Sequence, residues 1–289
     1  MNNDEEKYRK LMEVVELVNN SQLSSVKTIV SKIIKIIDDP ESTIKDLKDI
    51  IELDPPLTAR VLMRANSAYY GFPKKISDIE QAVIWIGFDA LKELALRQKV
   101  CEIFMKDECI NGYSRGALWK HSIAVALLAK MICRREFGQG GESAYVAGLL
   151  HDIGIIVEDQ FFQDEFMDII RKSKDEEKNL SNLEDEVFGY NHADIGKVLI
   201  EDWELPQELV TAIGHHNSPK VDKEFSKITL TLFIAEYACQ GIGYGDVPFR
   251  NKHLFNKSLK ELDIKPHALK LIVEDMKSEI RKMEEQGLF

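Results

Sequence analysis

Histidine and carboxylate side chains set the chemical possibilities of this chain. The stretch Ala147-Gly-Leu-Leu-His-Asp-Ile-Gly ends an apolar run with two adjacent metal-competent residues, His151 and Asp152. Neighbouring side chains on an α-helix diverge by roughly 100°, so a regular helix aims this pair in different directions. A helix that loosens at Gly154 lets both turn toward one ion. A buried aspartate is costly unless paired or metal-bound, and Leu149 and Leu150 place the pair in apolar company. Capping or a local salt bridge is the plainer alternative for two such residues alone. The case therefore turns on the other histidines, of which the chain has seven in all.

His121 falls between Leu118 and Val125 on an apolar helical face, where a hydrogen-bonded core histidine is the ordinary reading. His192 follows Asn191 at a helix start and is open to a capping role. His215 and His216 end a further helix, where positive charge suits the dipole. His253 and His267 lie in polar surroundings and are set aside. Taken together, His121, His151, Asp152, His192, His215 and His216 form a set spread over several helices. Mixed imidazole and carboxylate donors suit iron, manganese, zinc or similar divalent ions. Without cysteine among them, a structural zinc site is disfavoured. Two ions sharing carboxylates can clamp and activate the oxygens of a phosphoester displacement.

The elements that must position these residues read as helices. Val26, Ile29, Val30, Ile33, Ile34 and Ile37 keep a helical period that outweighs the strand preference of their β-branched side chains. Ser42 is placed to cap the next helix, through Leu47, Ile50 and Ile51. Asp54 offers an N-cap with Pro55 at the first helical position. Ser77 is placed to cap a helix ending at Gly87, and a long helix follows from Asp89 to about Lys106. The polar segment Asp107 to Ser114 is the best boundary. Beyond it come helices around His121, Phe161 to Arg171, Leu183, Ala193 to Trp203, Pro206 to His216 and Ser226 to Cys239. The charged run Lys172 to Lys178 reads as a solvated loop, and Gly241 to Lys252 as another. Pro266 opens a final amphipathic helix that frays into Lys282 to Gln286. Alternating strand patterns do not exceed a few residues, so the expected class is all-α.

Composition narrows the partners. The 289 residues are 44% hydrophobic and 30% charged, and the formal charge of −11 argues against nucleic acid as the main ligand. No uninterrupted apolar run reaches bilayer length and the N-terminus does not read as a signal peptide, so no membrane role is expected. The four cysteines lack a Cys-x-x-Cys pair, as in a reducing compartment. The expected location is the cytoplasm.

The motifs Asp54-Pro-Pro-Leu-Thr-Ala-Arg-Val-Leu-Met-Arg-Ala-Asn-Ser-Ala and Ile79-Glu-Gln-Ala-Val-Ile-Trp-Ile-Gly are followed by Leu150-His-Asp-Ile-Gly, Asn191-His-Ala-Asp-Ile-Gly, Trp203-Glu-Leu-Pro and Ile213-Gly-His-His. This arrangement resembles the HDOD branch of the HD superfamily of helical metal-dependent phosphohydrolases, over roughly Leu23 to Asn217 and on to Tyr237. The resemblance implies a two-lobe helical architecture, with an N-terminal lobe over 1–106 and an HD-like bundle over 107–289. It implies His121, His151 and Asp152 as first metal ligands and His192, His215 and His216 as the additional ligands of binuclear branches. A late aspartate closes the usual HD site; here Glu236, one methylene longer, stands in that position. Glu184 is a further candidate carboxylate, although a solvated residue is the ordinary reading. Asn66 and Ser67 are candidates for an inter-lobe contact or a ligand pocket, against a purely structural role.

The resemblance also implies limits. Where HD-GYP phosphodiesterases carry a lysine after the central motif, this chain has Ile155, and Asn217-Ser-Pro-Lys-Val replaces their Gly-Tyr-Pro signature. A cyclic di-GMP phosphodiesterase is therefore not expected. The leading expectation is a signal-transduction or regulatory protein with one or two divalent transition ions, iron or manganese favoured. It would bind a signalling protein or a small phosphorylated ligand. The alternatives are a metal-dependent phosphohydrolase of a nucleotide or other phosphoester, and a scaffold with a vestigial site.

Overall fold

The structure, a computed structural model, describes residues 3–104, 109–110, 113–176, 178–219, 225–245 and 251–285. It is all-α: the described strands are two-residue segments, Cys109–Ile110 and Tyr113–Ser114, paired antiparallel in the segment read as a boundary. The chain forms two compact units. One comprises Met1–Ser24 and Phe104–Met276, the other Ser25–Ile103 and Lys277–Phe289. Along the chain the units change at Ser24/Ser25, Ile103/Phe104 and Met276/Lys277.

The first helices in chain order are α1 (Asn3–Asn19), α2 (Leu23–Asp38), α3 (Ile44–Glu52), α4 (Pro55–Ala65), α5 (Ile79–Ile86) and α6 (Phe88–Phe104). Helix α2 buries Val26, Val30, Ile33 and Ile34 as the period requires. The caps of two helices sit one residue beyond the expected serines. Thr43 rather than Ser42 caps α3 in a reciprocal box with Asp46, and Asp78 rather than Ser77 accepts from the Gln81 amide at α5. In each case the later residue's oxygen reaches the third helical amide. Asp54 caps α4 as expected, accepting from Leu57 N at 3.0 Å, and its other oxygen holds Lys99 Nζ at 2.5 Å. Asn66 ends α4 and ties the Ile76 backbone at both its N–H and its carbonyl, 2.8 Å each, so its role is to latch a loop.

The larger unit contains α7 (Arg115–Phe137), α8 (Glu142–Leu150), α9 (Ile153–Phe161), α10 (Gln163–Glu176), α11 (Leu180–Phe188), α12 (His192–Asp202), α13 (Gln207–Gly214), α14 (Ser226–Gly241) and α15 (Lys252–Glu261), and α16 (Pro266–Glu285) passes from it into the other unit. Helices α1 and α15 were not anticipated: α1 buries Leu11, Val14, Val15 and Val18 at helical spacing, and Lys7–Asp194 and Asn19–Asp202 tie it to α12. Helix α10 continues through most of the charged run to Glu176, its exposed face accepting charge without cost. Helix α7 is long and apolar enough to cross a membrane by length and composition alone, but 67% of that window is buried inside the protein.

Close contact between α7 and α8 depends on small residues. A Cβ at Gly148 would lie 2.4 Å from Ala126 Cα and 2.6 Å from Ala126 N, backbone atoms that cannot yield. Gly148→Ala is expected to destabilise the protein by about 2 kcal/mol or more through overpacking. Gly116→Ala, where the added carbon meets nothing within 4 Å, should be neutral or stabilise by up to ~1 kcal/mol. Chemical denaturation of the two variants beside wild type checks the contrast, and equal midpoints would contradict it.

Candidate metal centre

The chain breaks helix between α8 and α9 at His151 and Asp152 themselves, two residues before the expected loosening at Gly154. Asp152 has φ −98° and ψ 16° and makes no capping bond with its side chain, which frees both its oxygens for the interior. Gly154 lies inside α9 and serves another purpose. A Cβ there would fall 2.1 Å from the His192 carbonyl oxygen, so its hydrogen is what lets α12 bring His192 to the pair.

Four imidazoles and two carboxylates converge from five segments. Asp152 Oδ2 lies 3.0 Å from His151 Nε2 and 3.6 Å from His121 Nε2 on α7. Glu236 Oε2 on α14 lies 2.8 Å from His121 Nε2 and 3.3 Å from His151 Nε2. The other Asp152 oxygen, Oδ1, faces His216 Nε2 at 3.5 Å and His192 Nε2 at 3.8 Å. Two groups of ligand atoms, each within 4.8 Å of one another, share Asp152: one with His121 and His151, the other with His192 and His216. All six residues are at most 7% exposed. His215 lies outside both groups; it caps the end of α13 and is partly exposed.

The outer nitrogen of every imidazole is already spent. His151 Nδ1 donates to the Gly148 carbonyl at 2.8 Å, His216 Nδ1 to the Ile213 carbonyl at 2.7 Å, and His121 Nδ1 to the Tyr244 carbonyl at 3.0 Å. His192 Nδ1 donates to Glu184 at 2.6 Å, and its backbone N–H to the same carboxylate at 2.9 Å. Each Nε2 of a neutral ring therefore presents a lone pair to the centre, the tautomer that metal-binding histidines adopt. Lone pairs facing carboxylate oxygens repel unless a cation lies among them. His151 Nε2 and Glu236 Oε2 are buried with no hydrogen-bond partner, and among the described ion pairs no lysine or arginine reaches Asp152 or Glu236. The residues present fit a divalent ion.

The local field says the same. Burial opposes charge on His151, yet the carboxylates of Asp152 and Glu236 outweigh it and raise its pKa well above the ordinary histidine value. His121 and His192 are raised by the same contest, against Glu236 and Glu184 respectively. Burial likewise opposes ionisation of Asp152 and Glu236, but the surrounding imidazoles hold both below the usual carboxylate range. His216 goes the other way, because burial prevails there. This is a site whose field favours positive charge at its centre.

Glu184 is fully buried rather than solvated, and it orients His192 from behind instead of facing the ligand atoms. Behind it stands Glu158, also fully buried, which the sequence did not single out. Burial and the neighbouring Glu184 charge push the Glu158 carboxyl well above the ordinary glutamate value, which favours its protonated form. The only signal for it was an apolar helical run, Ile153 to Val157, leading straight into two acidic residues, Glu158 and Asp159. Ile155 packs in a core with Tyr113, Phe166 and Leu183, so the position held by a substrate-facing lysine elsewhere is apolar here.

A family model for the HDOD domain matches residues 23–219. The chain belongs to the HDOD family. An HDOD domain protein of unknown function from Geobacter sulfurreducens is similar in structure at a TM-score of 0.74, with 28% identity over 89% of this chain and 90% of that one. A provisionally named phosphohydrolase from Shewanella amazonensis SB2B matches at a TM-score of 0.71, with 23% identity over 96% and 97% of the two chains. An uncharacterized protein of Treponema pallidum (strain Nichols) is 24% identical over 79% of this chain, which spans less than half, 44%, of that relative's length.

Glu158 gives a prediction with a definite sign. Its proton is bound more tightly in the folded than in the unfolded state, so its contribution to stability is present at low pH and is lost as pH rises above the ordinary glutamate range. Glu158→Gln keeps a neutral hydrogen-bonding group and removes that loss. The midpoint of thermal unfolding of Glu158→Gln should rise relative to wild type between about pH 5 and pH 8. A difference that is flat with pH would show Glu158 to be ionised in the folded protein.

Proposed function

We propose that this is a regulatory, signal-transducing HDOD protein whose larger unit holds one or two divalent transition ions, iron or manganese favoured. The supporting observation is the closed character of the ligand set. Six donor residues, buried and pre-oriented, come from α7, the α8–α9 turn, α12, the segment just after α13, and α14, so an ion ties together helices distant in sequence. Imidazoles with carboxylates and no thiolate suit iron or manganese. Ion occupancy then shifts the balance between packings of these helices, and the partner read-out is a signalling protein or a small phosphorylated ligand. Neither nucleic acid nor membrane is the proposed partner, and the compartment is the cytoplasm.

His121, His151, Asp152 and Glu236 are the proposed holders of one ion, and Asp152, His192 and His216 of a second. Glu236 has its other oxygen fixed by Gln240 Nε2 at 2.5 Å, so the longer side chain is held in place at the centre. His215 is the weakest member of the expected set, since its partly exposed position at the C-terminal cap of α13 does not join either group.

A second reading, a metal-dependent phosphohydrolase of a nucleotide or other phosphoester, is favoured by one feature. The two Asp152 oxygens face separate imidazole pairs, as a carboxylate bridging two ions does. When bound, two such ions would supply Lewis acidity to phosphoester oxygens. Against it stands Ile155, which gives a substrate phosphate no cationic contact.

Protein purified without added metal should contain one to two ions per chain by elemental analysis. His151→Ala combined with Asp152→Ala should lose them, and metal unchanged in that double variant would sink the assignment. Glu236→Ala should weaken binding at one position by about tenfold or more. Chelation should lower wild-type stability by about 3 kcal/mol if the ion was present at ~100 times its Kd. Cyclic di-GMP should not be turned over. Hydrolysis of mononucleotides or nitrophenyl phosphoesters by metal-loaded protein, abolished by His216→Ala, would favour the second reading over the first.

A further inference from the structure

The two donor groups differ in one respect that concerns a residue neither the motifs nor the family match assigns. Asn217 Nδ2 lies 2.7 Å from His192 Nε2, and the same nitrogen lies 3.1 Å from Ser181 Oγ on α11. His192 has committed its Nδ1 proton to Glu184, so Nε2 offers a lone pair and the Asn217 amide donates to it. That lone pair is the one an ion shared with His216 and Asp152 Oδ1 requires. In the first group, by contrast, His151 Nε2 has no hydrogen-bond partner, and His121 Nε2 faces the carboxylates of Glu236 and Asp152.

An imidazole lone pair serves one partner at a time. A donating amide and a metal ion therefore exclude each other at His192 Nε2, whereas among the described residues no amide donates to an imidazole Nε2 at the position lined by His121, His151 and Glu236. We infer that Asn217 is a built-in competitor of the second ion: its amide seats His192 while that position is empty and must swing aside before an ion binds there. The two positions fill in order, the one with Glu236 first. The inference rests on the proposed reading that the centre holds metal. Its size is that of one hydrogen bond given up on binding, roughly two- to tenfold in affinity. Ser181 takes part by holding the amide in place.

The test is a titration of the full chain, stripped by chelation, with manganese(II) alone, following free ion by electron paramagnetic resonance and heat by calorimetry. Wild type should show one tight and one weaker ion. Asn217→Ala should tighten the weaker ion by roughly two- to tenfold and leave the tight one unchanged, and Ser181→Ala should shift it less in the same direction. Asn217→Ser, whose hydroxyl is too short to reach His192, makes the same comparison should the alanine variant not fold. Second-ion binding that is unchanged or weakened in these Asn217 variants, or that is absent from both wild type and variants, overturns the competitor role and leaves the metal reading standing. Wild type that takes up no manganese at all overturns both.

Discussion

Two carboxylates buried among four imidazoles are the constraint around which the larger unit is arranged. Asp152 and Glu236 have no lysine or arginine among their described ion-pair partners, so their charge has to be met by cations supplied at the imidazole Nε2 atoms. Taking such charges out of water costs several kcal/mol per ion unless they are closely paired. The chain meets that cost with geometry: every Nδ1 is tied to a carbonyl or to Glu184, and every Nε2 is turned inward. The arrangement is stiff because each ring is fixed from behind by an acceptor on its own segment or a neighbouring one.

Backbone detail makes this possible. The helical run ends at Leu150 and restarts at Ile153, and the two-residue turn between them aims His151 and Asp152 at one point. Hydrogen in place of a side chain at Gly154 then admits the His192 carbonyl, and at Gly148 it admits the backbone of α7. The helices that carry the converging side chains therefore approach more closely than ordinary side chains permit. Behind His192 the buried Glu184 and Glu158 form a second tier, Glu184 holding the ring and Glu158 lying beyond it with its carboxyl raised by burial and by its neighbour.

The smaller unit uses polar residues differently. Its most family-specific stretch, Asp54 to Ala68, carries no converging donor set among the described residues. Asp54 caps α4 and pairs with Lys99, which also holds Glu102. Asn66 fastens the loop that leads to α5. These are structural duties: Asp54 is the helix cap its sequence position indicated, and Asn66, a candidate for an inter-lobe contact or ligand pocket, latches a loop.

The sequence by itself determined the helical class, most helix positions, and the identity of the histidines and acids that meet. Residue type carries that information locally: apolar periods of 3.6 mark buried faces, and adjacent His151 and Asp152 in apolar company stand out. Caps were legible only to within one residue, because Ser42 and Thr43, or Ser77 and Asp78, offer equivalent oxygens until the backbone chooses. Helices α1 and α15 went unread even though α1 carries a legible apolar stripe, Leu11, Val14, Val15 and Val18, at helical spacing. Only the tertiary structure decided that His216 and not His215 faces the centre, that Glu184 orients His192 from behind, and that Asn217 lies on its lone pair. Those outcomes depend on how α11, α12 and α13 are rotated against one another, a relation between segments distant along the chain that no local spacing encodes.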